Sequence, residues 1–140
     1  MERTYIMIKP DGVSRGLIGE VLGRFERKGY RLLGAKLFSA SRELLAEHYA
    51  HLKDLPFFPE ILDHMTSGPV FCCVFGGPAV VSYGRMILGA TDPLKAAPGT
   101  LRGDFCLKAG ENLCHGSDSV ENAEKEIGLW FPEGGCGRDE

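Results

Sequence analysis

The sequence predicts an α/β sandwich, one sheet of about four strands with helices packed on it. Three observations carry that expectation. Short apolar runs alternate with longer stretches whose apolar residues recur every three or four positions. Glycine and proline clusters punctuate most of the boundaries between them. The 140 residues, 44% hydrophobic and 25% charged, suffice for one domain with a genuine core and not for two.

Each element has its own signal. Tyr5–Lys9 is a short apolar run closed by Pro10, Asp11 and Gly12, a strand followed by a turn. Ser14 is placed to cap a helix whose apolar face is Leu17, Ile18, Val21, Leu22 and Phe25, with Arg27 and Lys28 in its last turn and Gly29 as its stop. Gly19 and Gly23 weaken that helix by roughly 1 kcal/mol each relative to alanine, so a close neighbour is expected against them. Tyr30–Phe38 alternates as a strand. Ser41 opens a helix with Leu45, Tyr49 and Leu52 on one stripe, Pro56 breaks it, and Pro59–Met65 forms a short second helix. Val70–Phe75 reads as a central strand that Gly77 and Pro78 stop, with the proline at the start of the next helix, which ends at Gly89. The stretch from Ala90 to Gly103, with Pro93, Pro98 and Gly99, is expected to be a long loop. Leu113 and Cys114 are too short to assign alone but are compatible with a strand running into His115, and Asp118 or Ser119 caps the last helix. One domain over 1–132 is followed by a tail, 133–140, with no large apolar residue, expected to be mobile.

Composition also limits function. Sixteen basic against nineteen acidic residues give a net charge of −3, which argues against a strongly basic nucleic-acid coat but leaves room for a local cationic pocket. The longest apolar run, Pro69–Phe75, is far below the roughly 20 residues of a membrane helix. No signal peptide is visible at the N-terminus. The five cysteines are odd in number and lack zinc-site spacing; Cys72 and Cys73 read as small core residues. A reduced, cytoplasmic protein is expected.

Neither standard glycine-rich phosphate loop occurs, nor a G-x-S-x-G nucleophile elbow. Side chains would therefore have to hold any phosphate. His48, His51 and His64 lie in polar-mixed helical segments and read as surface or partly buried residues rather than catalysts. His115 stands differently, at a strand end between Cys114 and Gly116 with Ser117, Asp118 and Ser119 after it. An imidazole attacks with one nitrogen only if the other is held as a donor, and Glu126 is a candidate holder. The residues alone leave His115 open between a nucleophile and a satisfied structural histidine. Lys9, at a strand mouth, is open between a phosphate ligand and a solvated charge. Arg85 and Arg102 bracket the long loop without standing out singly.

Taken together, several segments resemble the nucleoside diphosphate kinase family. They are Arg3–Val13, Phe25–Tyr30, Glu47–Tyr49, Lys53–Phe58, Ser67–Val70, Pro98–Phe105, the run Asn112-Leu113-Cys114-His115-Gly116-Ser117-Asp118-Ser119, and Glu124–Ile127. The N-x-x-H-G-S-D-S run is the most specific, and the likeness is nearly continuous from Glu2 to Phe131.

The resemblance implies a ferredoxin-like βαββαβ sandwich with a four-stranded antiparallel sheet. It implies transfer of the γ-phosphoryl of a nucleoside triphosphate to a nucleoside diphosphate, ping-pong, through a phosphohistidine. His115 would be the nucleophile and Glu126 would orient its ring. Lys9, Arg85, Thr91 and Arg102 resemble the phosphate ligands, and Tyr49 the tyrosine beside the reacting histidine. Asn112 resembles the ligand of the sugar region, Phe57 the aromatic on which the base stacks, and Ser117 the serine near the histidine and its glutamate. Mg²⁺ would ride on the phosphates without direct protein ligands, Asp118 reaching it at most through water. Stacking on Phe57 would be indifferent to base identity. Nucleoside di- and triphosphates are the expected partners, along with further copies of the chain: a hexamer is favoured over a tetramer, and the loop with Pro93 resembles one that makes trimer contacts. A membrane is not an expected partner. Nucleic acid is not expected as the main one, a regulatory or nucleic-acid-binding role being the alternative reading. Glu111 stands where many members carry arginine, a difference expected to touch local charge and stability rather than catalysis.

Overall fold

β1, Arg3–Ile8, is the strand from which the site is later built. In the computed structural model, which describes residues 1–134, all but its first residue are buried. Of the expected tail over 133–140, residues 135–140, with Cys136, lie outside the described residues.

Four strands form one antiparallel sheet. β2 (Arg31–Phe38), β3 (Val70–Gly76) and β4 (Cys114–Gly116) join β1 in the order β2-β3-β1-β4. All three pairings are antiparallel, and a register shift at Leu32/Gly34 bends β2. The helices are α1 (Pro10–Ser14), α2 (Ile18–Lys28), α3 (Arg42–His48), α4 (Phe58–Met65), α5 (Val80–Leu88), α6 (Leu101–Phe105) and α7 (Val120–Trp130). With α2 and α5 as the two crossovers this is the ferredoxin-like βαββαβ sandwich, enlarged by α3 and α4 between β2 and β3 and by α7 at the end.

The two-residue period of a strand divides the core in two. Ile6, Ile8, Cys73 and Phe75 face α2 and α5, where Val21, Phe25, Val80 and Leu88 complete one cluster. The Phe25 and Phe75 rings stack there at 4.7 Å. Tyr5, Met7, Cys72 and Val74 face the other way, onto Leu45 of α3, Leu62 and Met65 of α4, and Ile127 and Trp130 of α7. Each fully buried large side chain contributes about 1.5–3 kcal/mol of apolar transfer. Cys72 and Cys73 are core residues as expected, buried on opposite faces.

Several local expectations are corrected. Pro10–Ser14 is a short helix with Pro10 in its first turn, not a bare turn. Ser14 ends that helix, its Oγ donating to the Asp11 carbonyl at 3.2 Å, and α2 starts at Ile18 with no side-chain cap. No close neighbour explains the α2 glycines. A Cβ at Gly19 would meet nothing within 4 Å, and one at Gly23 only the mobile end of the Arg27 side chain of the same helix. Pro78 precedes α5 by two residues. Left-handed Ala79 (φ 54°) sits at the N-cap, and the Glu2 carboxylate caps the helix by accepting from Val81 N at 2.9 Å. The stretch from Ala90 to Gly103 is not all loop. Pro93–Lys95 makes a 3-10 turn, and α6 begins at Leu101, with the Thr100 hydroxyl accepting from Gly103 N at 3.0 Å. Ser41 and Ser119 cap their helices as expected, while Asp118 bonds to Asn122 instead.

Candidate active site around His115

β4 is only three residues long, and its pairing decides where His115 points. His115 lies opposite Met7 on β1, and Met7 opposite Cys72 on β3, so all three share the face covered by α3 and α7. Glu126 is on α7, on the same side. His115 Nε2 lies 3.1 Å from both Glu126 oxygens. A carboxylate only accepts, so Nε2 carries the proton and Nδ1 is left with a free lone pair. Ser117 fixes the carboxylate in turn. Its Oγ donates to Glu126 Oε1 at 2.6 Å and accepts from Tyr5 N at 3.2 Å.

Burial raises the Glu126 carboxyl, but the hydrogen bonds from His115 and Ser117 outweigh it and hold the group below its ordinary value. The site thus has an ionised carboxylate beside a ring whose far nitrogen is available.

His115, Glu126, Tyr49, Arg85 and Asp118 line one cleft of about 830 Å³. Arg85 reaches over β4 and donates to the Gly116 carbonyl at 3.2 Å. Tyr49 is buried at the end of α3, and burial, with Glu126 next in importance, raises its hydroxyl well above the ordinary value, so it stays a neutral donor. Asn122 holds the Asp118 carboxyl ionised below its ordinary value.

A second group gathers where β1 ends and β4 begins. Lys9 Nζ donates to Asn112 Oδ1 at 2.8 Å, and Asn112 Nδ2 donates to the Thr91 carbonyl at 3.2 Å. Arg102 is buried and donates to the carbonyls of Gly89, Asn112 and Cys114 at 2.8, 3.1 and 2.6 Å. Burial and then the neighbouring Arg102 charge lower the Lys9 ammonium, and burial lowers Arg102. A half-buried ammonium beside a buried guanidinium favours an anion between them. Phe57 is 47% exposed at the N-cap of α4 and is not among the residues lining the His115 cleft.

Two residues of this region escaped the sequence reading. His48 is buried rather than superficial, its ring 4.6 Å from that of His115 and nearly perpendicular to it. Trp130 Nε1 donates to His48 Nδ1 at 2.9 Å. Asp11 is buried as well, accepting from Leu113 N at 3.0 Å and lying 3.1 Å from His64 Nε2.

Residues 2–135 match the family described as nucleoside diphosphate kinase. The chain belongs to the nucleoside diphosphate kinase family. That is a family of enzymes, and this member is 60% identical to nucleoside diphosphate kinase A of Homo sapiens over 130 residues, 93% of this chain and 86% of the human one. It is 55% identical to the chloroplastic nucleoside diphosphate kinase 2 of Pisum sativum over 96% of its own length, and spans 58% of that protein. Among solved structures, a nucleoside diphosphate kinase family protein of Babesia bovis superposes with a TM-score of 0.96 at 47% identity, covering 100% of this chain and 95% of the other. A nucleoside diphosphate kinase of Halobacterium salinarum in complex with CDP does so at 0.95 and 45%, covering 99% and 93%.

In this family member the side chains also bear on a metal. Mg²⁺ prefers oxygen ligands and retains waters and substrate phosphates. Of the carboxylates lining the cleft, Glu126 is engaged by His115 and Ser117, and ionised Asp118 beside Asn122 fits an ion carried in on phosphates. His48, His115 and Glu126 bring ligand atoms within 4.8 Å of one another, but that nitrogen-rich set suits softer metals than magnesium. No helix among the described residues is long and apolar enough to cross a membrane.

Proposed function

We propose that the chain is an active nucleoside diphosphate kinase working by a ping-pong mechanism through a phosphohistidine on His115. The observation that carries this reading is the pairing of both Glu126 oxygens with Nε2 at 3.1 Å, which assigns the proton to Nε2 and leaves Nδ1 as the nucleophile in the cleft. The Nδ1 lone pair attacks the γ-phosphorus of a bound nucleoside triphosphate. The bond to the bridging oxygen breaks, the diphosphate leaves with that electron pair, and the positive charge that develops on the ring is stabilised at Nε2–H by Glu126. In the second half, a terminal oxygen of an acceptor diphosphate attacks the phosphorus, the bond from phosphorus to Nδ1 breaks, and its electron pair returns to the ring.

Phosphoryl transfer demands positioning and cations rather than covalent complexity. Lys9, Arg85 and Arg102 supply the cations, with Thr91 as a further phosphate ligand. Arg102 has three of its five N–H groups committed to backbone carbonyls, so its contribution is mainly to hold the neighbouring loops beside the phosphates. Mg²⁺, when bound with the phosphates, would supply charge neutralisation and orientation, and Asp118 is the residue that would help hold it. Tyr49 donates a hydroxyl beside the reacting ring, Asn112 holds the sugar, and exposed Phe57 offers a stacking face that does not discriminate among bases. The CDP bound to the Halobacterium relative fits that ligand class. Cys72, Cys73, Cys106 and Cys114 are free and buried, which fits a reducing compartment such as the cytoplasm.

The test is labelling with γ-phosphate-labelled ATP. Wild type should acquire an acid-labile, alkali-stable label that a nucleoside diphosphate then removes. His115→Ala should acquire none, and a label that survives the change moves the nucleophile elsewhere.

A further inference from the structure

Leu113 has φ 79°, in the left-handed region that a branched, non-glycine residue avoids. It lies between Asn112, proposed to bind the sugar, and Cys114, the first residue of β4. Its side chain is fully buried, so the conformation is imposed by surroundings and not by a loose loop.

Those surroundings are one tetrad at the far end of β1. The Leu113 N–H donates to Asp11 Oδ2 at 3.0 Å, and its carbonyl accepts from Lys9 N at 2.9 Å. The peptide groups on both sides of the strained residue are thus gripped by a single short segment. Gly12 makes room for it: a Cβ there would stand 2.7 Å from Leu113 Cδ1 and 2.9 Å from its carbonyl oxygen. The other Asp11 oxygen lies 3.1 Å from His64 Nε2, which anchors the carboxylate to α4. The Asp11 side chain is 6% exposed, so water is a poor substitute for it.

We infer that Asp11 is a positioning residue for nucleotide binding, holding Leu113 left-handed so that Asn112 and Lys9 meet. This inference rests on the kinase reading for its ligand. Removing the carboxylate leaves the Leu113 N–H buried without an acceptor and frees the peptide to relax toward ordinary φ. Asn112 then swings away from Lys9 and from the Thr91 carbonyl. His115 is held separately by its pairing with Met7 and by Glu126, so its chemistry is affected less.

The experiment compares Asp11→Ala and Asp11→Asn with wild type. In Asp11→Ala, KM for the nucleotides should rise about tenfold while kcat falls less than about threefold. Exchange of the Leu113 amide hydrogen should accelerate at least about tenfold, with that of Ile6 unchanged. Asparagine keeps an acceptor oxygen, so Asp11→Asn should recover most of the KM and the slow exchange. If alanine does not fold, Asp11→Ser serves, since its hydroxyl is too short to span the gap. Unchanged Leu113 exchange, or a lower melting temperature with KM intact, overturns the inference, as does an Asp11→Asn variant no better than alanine. The exchange measurement needs no nucleotide. A kinase reading that fails would show instead as wild type that neither binds ADP in calorimetry nor takes label.

Discussion

The hydrogen bond from Trp130 Nε1 to His48 Nδ1 decides a tautomer. With Nδ1 accepting, the proton of the neutral His48 ring sits on Nε2, and that ring packs edge-on against His115. Burial, and then the neighbouring His115, lower the His48 imidazole to about 3. Between its ordinary value of 6.5 and about 3, the unfolded chain takes up a proton that the native chain refuses. Native stability should therefore fall as pH drops through that window, by up to about 1.4 kcal/mol per pH unit from this residue. Urea unfolding from pH 7 to pH 4 checks it, with His48→Gln expected to show the shallower slope. Little of this is legible in the chain, because His48 lies in a polar segment and is buried by Trp130, 82 residues away. His115, Ser117 and Glu126 are more visible, since a single strand-to-helix run carries them, and the structure brings all three into contact. Asp11 reads as a turn residue, and nothing in a leucine at 113 announces a left-handed backbone.

Short elements show the same limit one level up. α6 spans five residues and 3-10 turns are shorter still, too few for any periodicity to register. The prolines and Gly99 correctly mark breaks between 90 and 103, but Thr100 restarts a helix there. Its Oγ donates to the Ala97 carbonyl at 2.6 Å and accepts from Gly103 N. That helix carries Arg102, so the cap acts indirectly on the candidate phosphate cluster. Thr100→Ala should cost about 1 kcal/mol in thermal or urea unfolding. β4 is likewise nearly invisible as three residues, and exists as a strand because β1 offers it a hydrogen-bonding edge. By contrast β1, β3 and α2, with its apolar stripe, fall close to where pattern places them, and α7 follows the Ser119 cap that the sequence suggests for it.

At the scale of the whole molecule, alternation of strands and helices suggests the right layers but not the sense of the sheet. Antiparallel order β2-β3-β1-β4 comes from long-range pairing that no local window contains. β2 has a sheet neighbour on one side only, and Leu37 on it is 60% exposed, as Leu94 is 75% exposed on the segment between α5 and α6. Edges and apolar surface of this kind favour association. Sedimentation should give six times the 15.3 kDa chain mass, and four times would establish the tetramer instead.

The pairing of the first strand with the last also orders events in time. Residues 3–8 leave the ribosome more than a hundred residues before their partners at 114–116. A nascent chain ending before residue 112 holds the segments of β2, β3 and β1, yet it lacks His115 and Glu126, the pair proposed to carry the chemistry. Its β1 edge stays open until β4 arrives to close it. Synthesis thus delivers three strands first and the candidate site last, and a prematurely released fragment lacks both that site and the α7 residues, Ile127 and Trp130, that cover β1.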